Sequence, residues 1–278
     1  PLTNRQLRPV SNDVHFAVMT SGYNSVTNGF LLNSLKMVLD FIEKDEIQMI
    51  HYPDFFEEGY KHKYDKDIYH YLDNVARNDQ YEMNRGFSHR LLRCSCVIWQ
   101  FKNLDELKAK YNEVINVLEN SYDGEVNTPD VQRLKGMIRE FEEELVWAYN
   151  GVLVNNVHHL HLGFYQDKGI TKGPNMQRDV MPILNQFREI QPDIISVTLD
   201  PEGSGPDTHY KVLQATAAAV AEWSKEKDLS KVRIYGYRNV WFKFHPAEAN
   251  MYVPVSLNAL AVLDKSFAAS YLSQVKAE

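Results

Sequence analysis

Cysteine is nearly missing: the chain has two, Cys94 and Cys96, separated by one residue. Such a pair supplies neither a disulfide framework nor a four-ligand zinc site, and it points to a reducing, cytoplasmic setting with packed rather than reactive thiols. No apolar run approaches the roughly 18 to 20 residues of a membrane span, and the opening Pro1-Leu2-Thr3-Asn4-Arg5-Gln6 lacks the apolar centre of a signal peptide. Positive charge is in deficit, 30 Lys+Arg against 37 Asp+Glu, and no basic stripe is visible, which argues against nucleic acid as the main partner. Internal repeats and low-complexity segments are also missing. With 278 residues, 44% of them hydrophobic, the chain can bury a large core without a cross-link, so a metal would be present for chemistry.

What is present alternates. Val14-His15-Phe16-Ala17-Val18-Met19 reads as a short strand running into the turn formers Thr20-Ser21-Gly22. Apolar residues at 31, 32, 35, 38, 39 and 42 have the helical period, and residues 47–53 read as a second strand. From about 55 to 130 tyrosines crowd with charged residues and the β pattern fades, which predicts a mainly helical insertion. Helices are expected over 104–118 and over 129–149, the second stopped by Asn150-Gly151. Then follow strand 157–162, helix 177–190, strand 194–199, an Ala-rich helix 208–224 and a β-rich run 234–244. That order predicts an α/β fold, one domain over residues 1–278 with a mainly parallel sheet and helices on both its faces.

Ligands of open α/β sheets sit beyond the carboxyl ends of the strands, which singles out two loops. Thr20-Ser21-Gly22 allows close backbone approach to a polar ligand, with an ordinary turn as the alternative. The second loop, Leu199-Asp200-Pro201-Glu202-Gly203-Ser204-Gly205-Pro206-Asp207-Thr208-His209-Tyr210, packs carboxylates, glycines and a histidine between a buried strand and a helix. Catalytic zinc and general-base sites need that composition; the alternative is capping, with Asp207 or Thr208 accepting helix N–H groups and Asp200 closing a turn. Tyr237-Arg238, at the end of a late strand, is placed to reach a sugar hydroxyl or phosphate through the planar fork of the arginine, with a plain surface salt bridge as the alternative. Of His158, His159 and His161, the last two share one strand face and the first points to the other, so at most two converge.

The second loop resembles the second motif of the PIG-L/LmbE-like zinc deacetylases, in which a buried strand ends in Asp-Pro, continues through glycines and finishes in His-Pro-Asp-His. Residues 14–22 resemble that family's second strand and its Thr-x-Gly loop, and Ile138-Arg139-Glu140-Phe141-Glu142 its Arg-x-x-Glu helix. Residues 157–165 resemble its strand ending near Leu-x-Phe-Tyr, and Tyr237-Arg238-Asn239-Val240-Trp241 through Val253-Pro254-Val255-Ser256 its late strand and closing segment. The likeness spans about 200 residues and leaves out the insertion. Within the family, it is to the deacetylase-like domain that follows glucosamine-6-phosphate deaminase (isomerase) in two-domain bacterial proteins. The resemblance implies a Rossmann-like domain that uses zinc and water to remove an N-acetyl group from a glucosamine derivative. By position it makes His209 a zinc ligand. It assigns Asp207 to catalysis and Thr20, Gly22, Asp200 and Arg238 to binding an amino-sugar substrate.

The sequence departs from the family in two places. The early His-Pro-Asp-Asp-Glu motif, with two metal ligands and the general base, belongs about 25 residues before Val14, and only 13 residues precede Val14 here. The first histidine of the second motif falls at Pro206, whose ring nitrogen cannot donate to an oxyanion. His51-Tyr52-Pro53-Asp54 and His245-Pro246-Ala247-Glu248 resemble the early motif but do not sit where the first strand should be. A doubly wound sheet without its first strand leaves a gap to be filled by a preceding segment, another chain or a rearranged strand. The runner-up expectation is therefore a non-catalytic descendant that keeps the fold for sugar binding or homo-oligomer formation. Nothing here resembles a sugar-phosphate isomerase site, so deamination is not assigned to these residues.

Overall fold

The computed structural model describes residues 12–61, 64–122, 125–164, 173–200, 207–238 and 243–275. Pro206 and most of its loop, Tyr165, and Asn239-Val240-Trp241 lie outside the described residues. The chain divides into two compact units, one built from residues 1–16, 21–158 and 255–278, the other from 17–20 and 159–254. The described residues are mostly helical, with two small two-stranded parallel sheets. No described helix is long and apolar enough to cross a membrane.

In the first unit, local sequence sets the helix ends. Helix α1 (Asn28–Glu43) begins where the Thr27 hydroxyl accepts the Phe30 N–H. Helix α2 (Tyr64–Arg77) gives way to Asn78, at φ 55°, a left-handed position that asparagine tolerates. Asp79 then caps α3 (Gln80–Trp99) by accepting from Glu82 N–H. Asn103 does the same for α4 (Leu104–Asn120) through Glu106 N–H, and α5 (Pro129–Tyr149) opens on a proline whose missing N–H costs nothing in a first turn.

These helices share one core. Leu35, Ile68, Leu92, Leu107 and Leu134, one from each helix, are all 0% exposed, each burial contributing roughly 2 kcal/mol. The segment from 55 to 130 thus packs with α1 and α5 rather than apart from them. Two charged clusters sit within it. Arg93 Nε lies 3.0 Å from Asp67 Oδ2, and Arg90 Nη2 lies 2.8 Å from Glu144 Oε2. Between α2 and α3, His70 Nε2 lies 3.6 Å from Glu82 Oε2 and the His70 and His89 rings stack at 6.2 Å.

The strand expected over 47–53 is instead a 3-10 turn, Gln48–His51. Ile47 and Ile50, three residues apart, are 0% and 8% exposed and both pack in the core. Alternating strand positions cannot place residues i and i+3 on one face, whereas a helical turn can.

Strand β1 (Phe16–Val18) pairs with β2 (Val157–His159). In the second unit a π-helical turn, Met176–Val180, leads into α6 (Met181–Ile190). The turn forms because Asn175 Oδ1 accepts two N–H groups, from Gln177 and Arg178, while the buried Asp179 accepts from Gly163 N–H and Asn175 N–H at 2.7 Å each. Strand β3 (Ile194–Thr198), helix α7 (Asp207–Trp223) and β4 (Arg233–Tyr237) form a βαβ unit with parallel strands in register from Ile194↔Arg233 to Thr198↔Tyr237. Ala215, Ala219 and Trp223 recur every four residues on the buried side of α7, and Trp223 meets Phe187 of α6 at 5.3 Å.

The chain closes with α8 (Leu257–Ser270) and α9 (Leu272–Val275), back in the first unit. Helix α8 turns Ser266 and Ser270 inward and leaves Leu257, Leu260, Leu263 and Phe267 exposed. It is held at its end by polar bonds. The buried Glu142 accepts Ser273 N–H at 2.6 Å and Ser273 Oγ at 3.0 Å and pairs with Arg139, and Tyr271 OH donates to Glu143 at 2.7 Å.

Candidate functional site

The carboxyl ends of β3 and β4 carry the chemistry. Leu199 N–H donates to Tyr237 O at 2.7 Å, extending the ladder one residue past β3. Gly236 makes this close approach feasible, since a Cβ there would stand 2.9 Å from Leu199 Cδ2. Asp200 follows, 2% exposed, and its Oδ2 meets His209 Nδ1 in the first turn of α7 at 2.9 Å. With Asp200 accepting, the proton sits on Nδ1 and Nε2 is the nitrogen that carries the lone pair. The His209 side chain is 32% exposed, so this imidazole is both oriented and reachable.

Two neighbours complete the edge. Thr198 Oγ1 is buried without a hydrogen-bond partner among the described residues, a polar atom of the kind a ligand or water satisfies. The Tyr237 hydroxyl is pushed above its ordinary range by burial and then by the Asp200 charge. Tyr237 was named from sequence together with Arg238 at its strand end, whereas Thr198 was not singled out; the signal for it was the pairing of two strands that each end in a polar residue.

The other assigned residues have local settings of their own. Asp207, 58% exposed, pairs with Lys211 one helical turn on at 2.9 Å. Arg238 Nη1 lies 3.6 Å from Glu248 Oε2, and its guanidinium stands 4.3 Å over the Phe244 ring. Thr20 is half-buried in the loop after β1. Gly22, at φ 63°, caps a 3-10 turn through its carbonyl, which accepts Ser25 N–H and Ser25 Oγ. An L side chain at that φ is strained, which accounts for the glycine. Asp200 and His209 are thus in direct contact.

Among the described residues no group of three His, Cys, Asp or Glu converges as a metal site. His209 with its orienting carboxylate has the character of one zinc ligand, and a catalytic zinc needs about three from the protein. The described residues alone therefore do not fit a complete zinc centre. His51 pairs with Asp45 at 2.6 Å, and His245 accepts Ala247 N–H at 3.2 Å, which gives both look-alike motifs local partners. His159 and His161 rings stack at 6.3 Å, while His158 meets His15. Burial pushes the Cys96 thiol up to about 12 and that of Cys94 further.

The fold and site define an α/β protein, mostly helical, with a carboxylate-oriented histidine at the end of a parallel strand pair. No family model and no solved structure matches the chain. A glucosamine-6-phosphate deaminase-like protein of Bacteroides thetaiotaomicron is 34% identical over 163 residues, 56% of this chain and 24% of that protein. The chain spans about a quarter of the length of this curated relative.

Proposed function

We propose that this chain acts on an amino sugar as a zinc-dependent hydrolase of the carbohydrate N-deacetylase type, with His209 as its metal-facing residue. The Asp200–His209 hydrogen bond at the carboxyl end of β3 carries the reading. The resemblance of the 197–209 segment to the deacetylase motif supports it, as does the amino-sugar name of the Bacteroides relative. The reading takes the β3–α7–β4 unit as part of a Rossmann-like sheet. His209 would offer Nε2 to zinc while Asp200 fixes its ring, which accounts for one of the roughly three ligands that a catalytic zinc needs from the protein. Tyr237 and Thr198 would bind or orient polar groups of the sugar.

The ion pair of Asp207 with Lys211 favours a second reading, a non-catalytic sugar-binding or oligomerisation domain, because it engages the carboxylate assigned to catalysis. The two are separated by acetate release from an N-acetylglucosamine derivative, measured with zinc supplied. Release that disappears in His209→Ala supports the hydrolase. No release, with sugar binding unchanged in His209→Ala, overturns it in favour of the second reading.

A further inference from the structure

One buried amine in the first unit has no anionic partner. Lys135, in the first half of α5, is 6% exposed, and the one acceptor that its Nζ meets among the described residues is Asn28 Oδ1 at 2.6 Å. A buried ammonium has three donors to satisfy and needs a counter-charge, whereas a neutral amine has two donors and a lone pair. The setting suits the amine. Burial alone pushes Lys135 down to about 8, with no ionised neighbour contributing. At about pH 7.5 that leaves about a quarter of it neutral, against about a thousandth of an exposed lysine.

Asn28 is the first residue of α1, so the amine sits at the positive end of a helix of 16 residues. There Phe30 N–H donates to the Thr27 hydroxyl and Leu31 N–H to the Thr27 carbonyl, while the N–H groups of Asn28 and Gly29 meet no acceptor among the described residues. A Cβ at Gly29 would meet nothing within 4 Å, so open space adjoins these donors. Positive charge is disfavoured at such a helix end and negative charge favoured. Conversion of the amine to an anion would reverse an unfavourable interaction and supply acceptors to two N–H groups that lack them.

We propose that Lys135 is a carbamate site, at which the amine captures dissolved carbon dioxide and the resulting N-carboxylate is held at the start of α1. The Nζ lone pair attacks the carbon of CO2, a C–N bond forms as one C=O π bond opens onto oxygen, and one amine proton passes to water. The product bears one negative charge and keeps one N–H. That N–H continues to donate to Asn28 Oδ1, and the carboxylate oxygens accept from the Asn28 and Gly29 N–H groups. A molecule of three atoms suits an amine this deeply buried better than a larger carbonyl electrophile. The site needs neither zinc nor sugar and is independent of the hydrolase reading.

Carbon-13 NMR of the wild-type protein equilibrated with labelled bicarbonate reads the carbamate carbon. Trapping with a trialkyloxonium salt, followed by peptide mass mapping, locates it. Near pH 7.5 the proposal expects a carbamate signal that is lost in Lys135→Met, which fills the same space without an amine. It expects the trapped ester on the peptide containing Lys135, at an occupancy at least about tenfold above that of any other lysine. Acidification to about pH 6 should remove the signal as the ammonium takes over. No carbamate signal in the wild type, or a signal that persists in Lys135→Met, would overturn the proposal. So would trapping at Lys135 no greater than at exposed lysines, a comparison made on the wild type alone and decisive even if the methionine variant does not fold.

Discussion

Asp200 Oδ2, just past β3, and His209 Nδ1, in the first turn of α7, lie 2.9 Å apart, the carboxylate buried and the imidazole partly open to solvent. A buried carboxylate that fixes the far nitrogen of a reachable histidine sets the tautomer and raises the basicity of the near one. That relationship generates the first two predictions.

Asp200→Asn keeps the shape of the side chain and removes its charge. Transition-metal affinity at His209 should fall by about 10- to 100-fold, the usual cost of losing the group behind a metal ligand. Zinc titration against the wild type and His209→Ala reads this directly; an unchanged affinity would dissociate Asp200 from His209's role.

Gly236→Ala reaches the same pair through packing. Its Cβ would stand 2.9 Å from Leu199 Cδ2 and 3.2 Å from Leu199 Cβ, so Leu199 must shift and carry Asp200 with it. Stability should drop by about 1–2 kcal/mol and zinc affinity should change in the same direction as in Asp200→Asn. Chemical denaturation and zinc titration on one preparation check both.

Acid stability should be set by two opposing groups in the helical unit. Burial pushes His89 down to about 4, aided by His70 and Arg85. The unfolded chain, titrating near 6.5, takes up that proton first as pH falls. The stabilisation is complete above about pH 6.5 and lost between there and pH 4. Burial pushes the Asp67 carboxyl up to about 6, against the pull of Arg93 and Arg90. It therefore favours the folded state at low pH, an advantage that fades as pH rises from about 4 to about 6. Each contribution is on the order of 3 kcal/mol. His89→Gln should flatten the acid loss and Asp67→Asn should steepen it, as read from urea midpoints between pH 4 and 7.

Glu142→Gln removes the charge that pairs with Arg139 in a buried setting and should destabilise the helical unit by about 3 kcal/mol. Ser273→Ala, which removes one neutral donor to the same carboxylate, should cost about 1 kcal/mol. Thermal unfolding of the two variants ranks them.

Cys94 and Cys96 are buried and their thiols are held in the protonated form by burial. Native protein should resist alkylation at neutral pH and label at both positions once unfolded, as counted by intact mass.

Helix positions were legible wherever caps and the apolar period agreed. Residues 129–149 read as a helix because Pro129 opens it and Asn150-Gly151 closes it, and α5 has those bounds. Residues 47–53 misled because Ile47, Ile50 and their apolar neighbours suit a buried strand and a tight turn equally, and only packing decides. Helix α8 was not anticipated, and its apolar period alone would have placed the wrong face inward, since the serines are buried and the leucines exposed. At the site, the proximity of Asp200 and His209 was legible because they are only nine positions apart in the chain. The placement of Thr198 beside Tyr237 was not, because strand pairing joins residues far apart in the chain.

Zinc per chain by elemental analysis, on the wild type and His209→Ala after equal zinc loading and desalting, tests the central claim most directly. The account predicts near-stoichiometric zinc in the wild type and its loss in His209→Ala. Equal zinc in both proteins, or none in either, would contradict it.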